Sequence, residues 1–265
     1  MSLVSARARL PDLLRRPTSG TTVVFLAVPD DAIAAVAAAL ALVELPRRVA
    51  FVHASGALGL GALASLGGRH AVGSFHPLRS FPQPGPPEAF LGIVIGVDAS
   101  TESLRRVLNG LARDLGATPK RVADAQRAVY HAAAVFASNY IVTLLAEAVR
   151  LLEQSGWTEK EAIQGLVPLA EGAVANVRER GPVLALTGPI RRGDAETVKR
   201  HLIALGALET NARRATKGRK SDLYRMLGNV ALEIAQQAGL TPAAAEQTRR
   251  ALTRKVAATR RRSRQ

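Results

Sequence analysis

The chain has 265 residues and is 48% hydrophobic with a mean hydropathy of +0.09, so it is long enough for a sizeable core and too apolar for a disordered chain. It contains no cysteine, which excludes disulfides and thiolate metal sites and fits a cytoplasmic setting, and aromatics at 4% leave the core to Ala, Leu and Val. The net charge of +15 is uneven, because residues 191–265 hold 18 Lys/Arg against 6 Asp/Glu, or +12.

The first twenty residues are basic and irregular, with a short helix expected over Pro11–Arg16. Arg7, Arg9, Arg15 and Arg16 have no apolar run beside them, so no signal peptide is expected. Thr22–Val28 is β-branched and apolar, which predicts a buried strand. An alanine-rich helix follows over Ala32–Leu42, with Asp30 or Asp31 as its cap. No stretch is expected to span a membrane, since Ala32–Val43 is too short and too alanine-rich. Further strands are predicted over Arg48–His53, Ala71–Phe75 and Leu91–Val97, with a last one over Thr118–Val122. A helical stretch to about Leu66, a Pro-rich loop over Phe81–Pro87 and a helix over Ala99–Leu115 separate them.

Strands that alternate with helices and are apolar on both faces predict a partial doubly wound, mostly parallel sheet, hence an α/β domain over residues 1–118. Ligands of such sheets bind beyond the carboxyl ends of the strands. Those ends carry Pro29 and Asp30, His53 with Ser55 and Gly56, and His76 with Pro77.

No strand signal returns after Val122, so residues 119–265 form an all-α domain. It is built on one long helix from Ala123 to about Ser155, free of Pro and Gly and closed by Gly156. Apolar residues on almost every side of that helix require helical neighbours or a second copy, which predicts a homodimer. Thr158 and Glu161 make a capping box for the next helix, which Gly181-Pro182 breaks. The loop Leu186–Asp194 leads to a helix capped by Asp194, and two helices finish the chain, near Asp222–Ala238 and Pro242–Arg260. The end, Arg260-Arg261-Arg262-Ser263-Arg264, is either a solvated tail or a nonspecific phosphate contact to nucleic acid, without aromatics to stack on bases.

Five motifs occur in order: AVPDDAI (27–33), HASGALG (53–59), GSFHPL (73–78), YHAAAVFASNY (130–140) and LTGPIRRGD (186–194). Together they resemble the bacterial Rossmann-like family with a C-terminal helical domain of unknown function. That family is similar in plan to pyrroline-5-carboxylate reductase, ketopantoate reductase, prephenate dehydrogenase and the 6-phosphogluconate dehydrogenase group. The resemblance implies an NAD or NADP cofactor, a small-molecule substrate and a dimer. It implies that Val28, Pro29, Asp30, Ser55 and Gly56 face the cofactor. His76-Pro77-Leu78 is similar to the His-Pro-Met of prephenate dehydrogenases, and Ser55 falls near their catalytic serine.

Two departures matter. The family begins with a strand, a Gly-x-Gly-x-x-Gly turn and a helix, which together hold the pyrophosphate. No such opening occurs here, and Gly56–Gly61 has neither the spacing nor the place of a phosphate loop. Either the start is misplaced or the glycine-rich half is lost, and weak cofactor binding is expected. The Lys and Asn that start the long helix in 6-phosphogluconate-type dehydrogenases are also absent. The candidate catalytic residues are therefore His76, His131, Ser55 and Asn139, with Ser138, Thr187 and Arg192 as substrate contacts. Each has a plainer reading: a backbone-bonded His76, a buried His131, Ser138 and Asn139 bridging helices, and Thr187 and Arg192 in an ordinary Gly-Pro turn. His53 reads as structural. The scattered histidines give no metal-ligand spacing. Three functions follow: an NAD(P)-dependent oxidoreductase impaired by its missing half, a non-catalytic dimeric binding protein, or a nucleic-acid-associated protein.

Overall fold

The computed structural model describes residues 20–83, 85–209 and 219–253. The expected helix at Pro11–Arg16 and the basic tail Arg260–Arg264 lie outside them. Among the described residues one sheet has five strands in chain order, β1 (Thr22–Leu26), β2 (Val49–His53), β3 (Val72–Pro77), β4 (Val94–Ala99) and β5 (Thr118–Arg121). The pairs β1–β2, β2–β3 and β4–β5 are parallel, and β3–β4 is antiparallel. The reversal has a local cause. A parallel neighbour needs a crossover, and the Pro-rich segment after β3 supplies only a 3₁₀ turn at Pro87–Phe90. β4 starts at Val94 rather than Leu91, because Gly92 at φ 71° turns the chain and gives its N–H to the Gly116 carbonyl.

Alternation along the strands sorts the core into two sides. Val49 and Phe51 of β2 and Val72 of β3 pack with Ile33 and Ala37 of α1 (Asp30–Ala41) and with Leu63 and Leu66, which belong to a 3₁₀ turn (Leu60–Leu63) and the short α2 (Ala64–Gly67). Ala50, Val52, Phe75, Ile95 and Val97 pack on the other side with Leu104, Leu108 and Ala112 of α3 (Glu102–Asp114). Neither Asp30 nor Asp31 caps α1: the N-cap is Pro29, with no side-chain cap bond.

The two edges of the sheet differ in chemistry. β5 reads Thr-Pro-Lys-Arg, carrying a proline and two cations. β1 reads Thr-Val-Val-Phe-Leu, with neither, and Phe25 is 42% exposed, its ring edge-on to Phe75 at 5.6 Å.

The chain divides into two compact units, Met1–Ala146 and Glu147–Gln265. The sequence reading draws its boundary at 118/119, near the last strand. The expected single rod is two helices, α4 (Arg127–Ala137) and α5 (Asn139–Glu153), broken at Ser138, where φ is −125° and ψ −73°. Backbone bonds still run on either side of the break, from the Ser138 N–H to Ala134 and from the Val142 N–H to Ser138. Gly156 takes the left-handed conformation expected of it, at φ 94°. Taken together, Asp124–Glu153 is long and apolar enough to cross a membrane by length and composition, and none of its most apolar window is buried. The expectation that no stretch qualifies is thus corrected, having weighed Ala32–Val43 alone.

The second unit holds α6 (Glu159–Ala185), opened by the Thr158–Glu161 capping box and interrupted at Gly181, φ 72°, as its Gly-Pro pair leads one to expect. Where a loop is expected there is a short helix, α7 (Gly188–Arg192), started by Pro189 and stopped by Gly193 at φ 71°. Asp194 accepts the Thr197 N–H at 3.0 Å and caps α8 (Ala195–Glu209). With α9 (Arg219–Gln237) and α10 (Pro242–Thr253), these helices bury Ile190, Val198, Leu202, Leu232 and Leu252.

Candidate functional site

The site grows from one face of the sheet. On the face opposite α3, β2 ends in His53, β3 carries Ser74 and His76, and β4 carries Gly96 and Asp98. Polar residues on a buried strand face must be satisfied by whatever covers them, and here that is the first turn of α4. Arg127, Tyr130 and His131 stand at i, i+3 and i+4, so they share one side of that helix.

Tyr130 is the contact that sequence reasoning missed. Its hydroxyl lies 2.8 Å from Nδ1 of His76, with the two rings edge to face. Gly96 makes room for it: a Cβ there would meet the phenol oxygen at 2.9 Å. A glycine in a buried strand marks a close approach, but nothing local in the sequence names the residue that approaches. A phenol O–H given to Nδ1 puts the ring proton of His76 on Nε2, which has no protein partner among the described residues. Burial, then the nearby His131 and Arg127, lower the His76 pKa from its ordinary 6.5, so the ring is neutral at pH 7. Burial raises that of Tyr130, which stays a phenol.

Gly56 closes the other side of the imidazole. A Cβ at Gly56 would stand 2.7 Å from Nε2 and Cε1 of His76 and 3.1 Å from the His131 ring. His76, His131, Ser138 and Asn139 therefore come together, lining with Tyr130 and Arg79 a cavity of about 630 Å³. No carboxylate lines it among the described residues.

Ser55 has a different place. It is 5% exposed; its Oγ donates to Asp30 at 2.7 Å and accepts the N–H groups of Ala57 and Leu58. One donor and two acceptor positions are the whole capacity of a hydroxyl, so Ser55 organises its own loop and has none left for a substrate. The same bond occupies Asp30 and links two of the expected cofactor positions, while Val28 packs against the apolar side of α1. His53 is structural, as read: Nδ1 accepts the Ser55 N–H and Nε2 lies 3.2 Å from the Gly59 carbonyl. Thr187 and Arg192 belong to the second unit, as N-cap and last residue of α7.

Gly59-Leu60-Gly61-Ala62-Leu63-Ala64 follows β2 and has Gly-x-Gly-x-x-Ala spacing, which the sequence reading overlooked. The structure fills that turn with a carboxylate. Asp124 Oδ1 accepts the Leu60 N–H at 3.1 Å, and a Cβ at Gly59 would collide with the Asp124 carboxylate. A diphosphate there would meet a negative charge in place of open N–H donors, so the described residues of this turn do not fit a dinucleotide's diphosphate.

The family described as Domain of unknown function (DUF2520) matches residues 93–231. No curated protein matches the chain. Among solved structures, protein TM1727 from Thermotoga maritima is 25% identical with a TM-score of 0.67, covering 89% of this chain and 88% of that one. A proposed NADP oxidoreductase, BF3122 from Bacteroides fragilis, is 23% identical with a TM-score of 0.63, covering 83% and 78%. An NADH-preferring ketol-acid reductoisomerase from an uncultured archaeon is 14% identical with a TM-score of 0.50, covering 86% and 63%. The last two likenesses show the fold: a Rossmann-like sheet followed by helices.

Proposed function

For this chain, which belongs to the DUF2520 family, we propose an NAD(P)-dependent oxidoreductase acting on a small molecule, with His76 as the residue whose N–H holds the reacting oxygen or nitrogen of the substrate. The observation that carries the reading is the His76–Tyr130 pair. Its Nδ1 is held by the phenol at 2.8 Å, and among the described residues its Nε2 has no protein partner and no carboxylate lines the cavity it faces. A neutral imidazole so held presents one N–H to a substrate oxygen or nitrogen, where it stabilises the negative charge that hydride addition develops, the proton then coming from water. His131 faces the same space and serves as the second polar contact, and Ser138 and Asn139 orient the substrate.

The oxidoreductase class is supported by structural likeness to proteins described as NADP- or NADH-dependent. The described residues offer a dinucleotide no diphosphate cradle, and the turn that would supply one is filled by Asp124. NADPH binding by these 265 residues is therefore expected to be weak, ~1 mM. Calorimetry with NADPH tests this, and micromolar affinity would show that the diphosphate is held elsewhere. At about 5 mM NADPH, cofactor consumption with a panel of small carbonyl and imine substrates should be slow. It should fall by roughly a hundredfold or more in His76→Asn. Consumption that persists in that variant removes His76 from the mechanism, and no consumption with any substrate favours a non-catalytic binding protein.

A further inference from the structure

We propose that Arg127 is the positioning residue of this site: its guanidinium, enclosed beneath the ends of β2 and β3, locks the first turn of α4 to the sheet and so sets where Tyr130 and His131 stand against His76. The proposal rests on reading His76 as the group that meets the substrate, but it is tested on the His76 ring and not on turnover.

Arg127 is 2% exposed. Nη1 donates to the Ser55 carbonyl at 3.2 Å, just past the end of β2, and Nη2 donates to the Ser74 hydroxyl within β3. One planar fork thus joins two strands to one helix. Among the described residues its Nε is buried without a hydrogen-bond partner, and Asp98 and Asp124 act on the guanidinium through space. A buried guanidinium without a directly paired carboxylate is a costly way to fill volume, and an apolar side chain of similar size would pack there at less expense in desolvation. What an apolar side chain lacks is the two-point grip, and Tyr130 and His131 lie three and four residues further along the same side of α4.

The groups that act on His76 are Tyr130 and His131 with Arg127 on α4, Asp30 on α1 and His53 on β2. Of these, Arg127 carries a fixed positive charge and opposes the imidazolium, while Asp30 favours it. Two separable consequences follow. The fork holds the ring's orientation, and the charge adds to burial and His131 in keeping the ring neutral.

Nuclear magnetic resonance of the His76 ring in the full-length chain distinguishes them. In the wild type, His76 should titrate below 6.5, the ordinary imidazole value, with the Nε2–H tautomer dominant. Arg127→Met should move the midpoint up and mix the tautomers. Arg127→Lys keeps the charge and loses the fork, so the midpoint should stay low while the tautomers mix. A purely architectural Arg127 would lower stability in both variants and leave the His76 titration and tautomer as in the wild type; that result overturns the proposal. Should Arg127→Met not fold, a wild-type tautomer in folded Arg127→Lys overturns it equally. Should neither fold, the wild-type spectrum decides, and a ring titrating at the ordinary value or with mixed tautomers sinks the idea. Loss of turnover in His76→Asn beside an unmoved ring in Arg127→Met would retain the function and reject the positioning role.

Discussion

His53 and His76 are both held neutral in the folded chain, chiefly by burial, and this makes acid the natural enemy of the fold. Each has a folded pKa below the 6.5 of an exposed imidazole. Between those two values the unfolded chain binds more protons than the folded one, so stability is full above about pH 6.5 and is lost as the pH falls through the folded values. Urea midpoints measured from about pH 8 to about pH 5 should decline across that window, and His76→Asn should flatten the decline. A midpoint independent of pH would mean that neither ring is held neutral. At this scale the sequence was partly legible. His76 and His131 are polar residues in apolar surroundings and stand out. Tyr130 does not, because its role depends on a glycine in β4 that stands 34 residues earlier and touches it only in the fold.

Among elements, the segment from His53 to Leu60 departs most from its sequence appearance. Its glycines suggest a flexible loop, yet it is closed at several points: His53 against the Gly59 carbonyl, Ser55 against Asp30, Ala57 and Leu58, and Asp124 against the Leu60 N–H. Gly56 is needed for space, since its neighbour is the His76 ring at 2.7 Å from a notional Cβ. Gly56→Ala should therefore displace His76 from Tyr130 and lower stability by about 1–3 kcal/mol, the usual cost of overpacking. Urea denaturation and the His76 ring signal would report it, and an unchanged ring environment would show that the loop yields instead. Strand positions were readable from their β-branched runs, and the capping box and Gly156 from local rules. The break at Ser138 was not, because nothing in a Pro- and Gly-free run announces it. The Asp30 cap failed for a related reason: its carboxylate is taken by a serine 25 residues away.

For the whole molecule, the unanswered demand is apolar surface. In the first unit Val129, Phe136 and Val142 are exposed, and in the second Leu169 and Leu184 are. So much exposed aliphatic and aromatic surface is unusual for a monomer. A second copy is the partner that the helical composition favours, and light scattering at micromolar concentration should give about twice 28.0 kDa. A monodisperse monomer would leave the apolar face of Asp124–Glu153 to another partner, and detergent dependence of its solubility would then point to lipid.

The unequal edges of the sheet add a constraint on how this architecture can change. Proline and cations terminate β5, while Val23, Val24, Phe25 and Leu26 of β1 are all uncharged and free of proline. Growth of the sheet thus has a direction. A strand donated by any source, a fused segment or another polypeptide, meets no proline or cation along Val23–Leu26, and meets Pro119, Lys120 and Arg121 at the opposite side. A fusion that delivers its strand to β5 is expected to leave that strand unpaired.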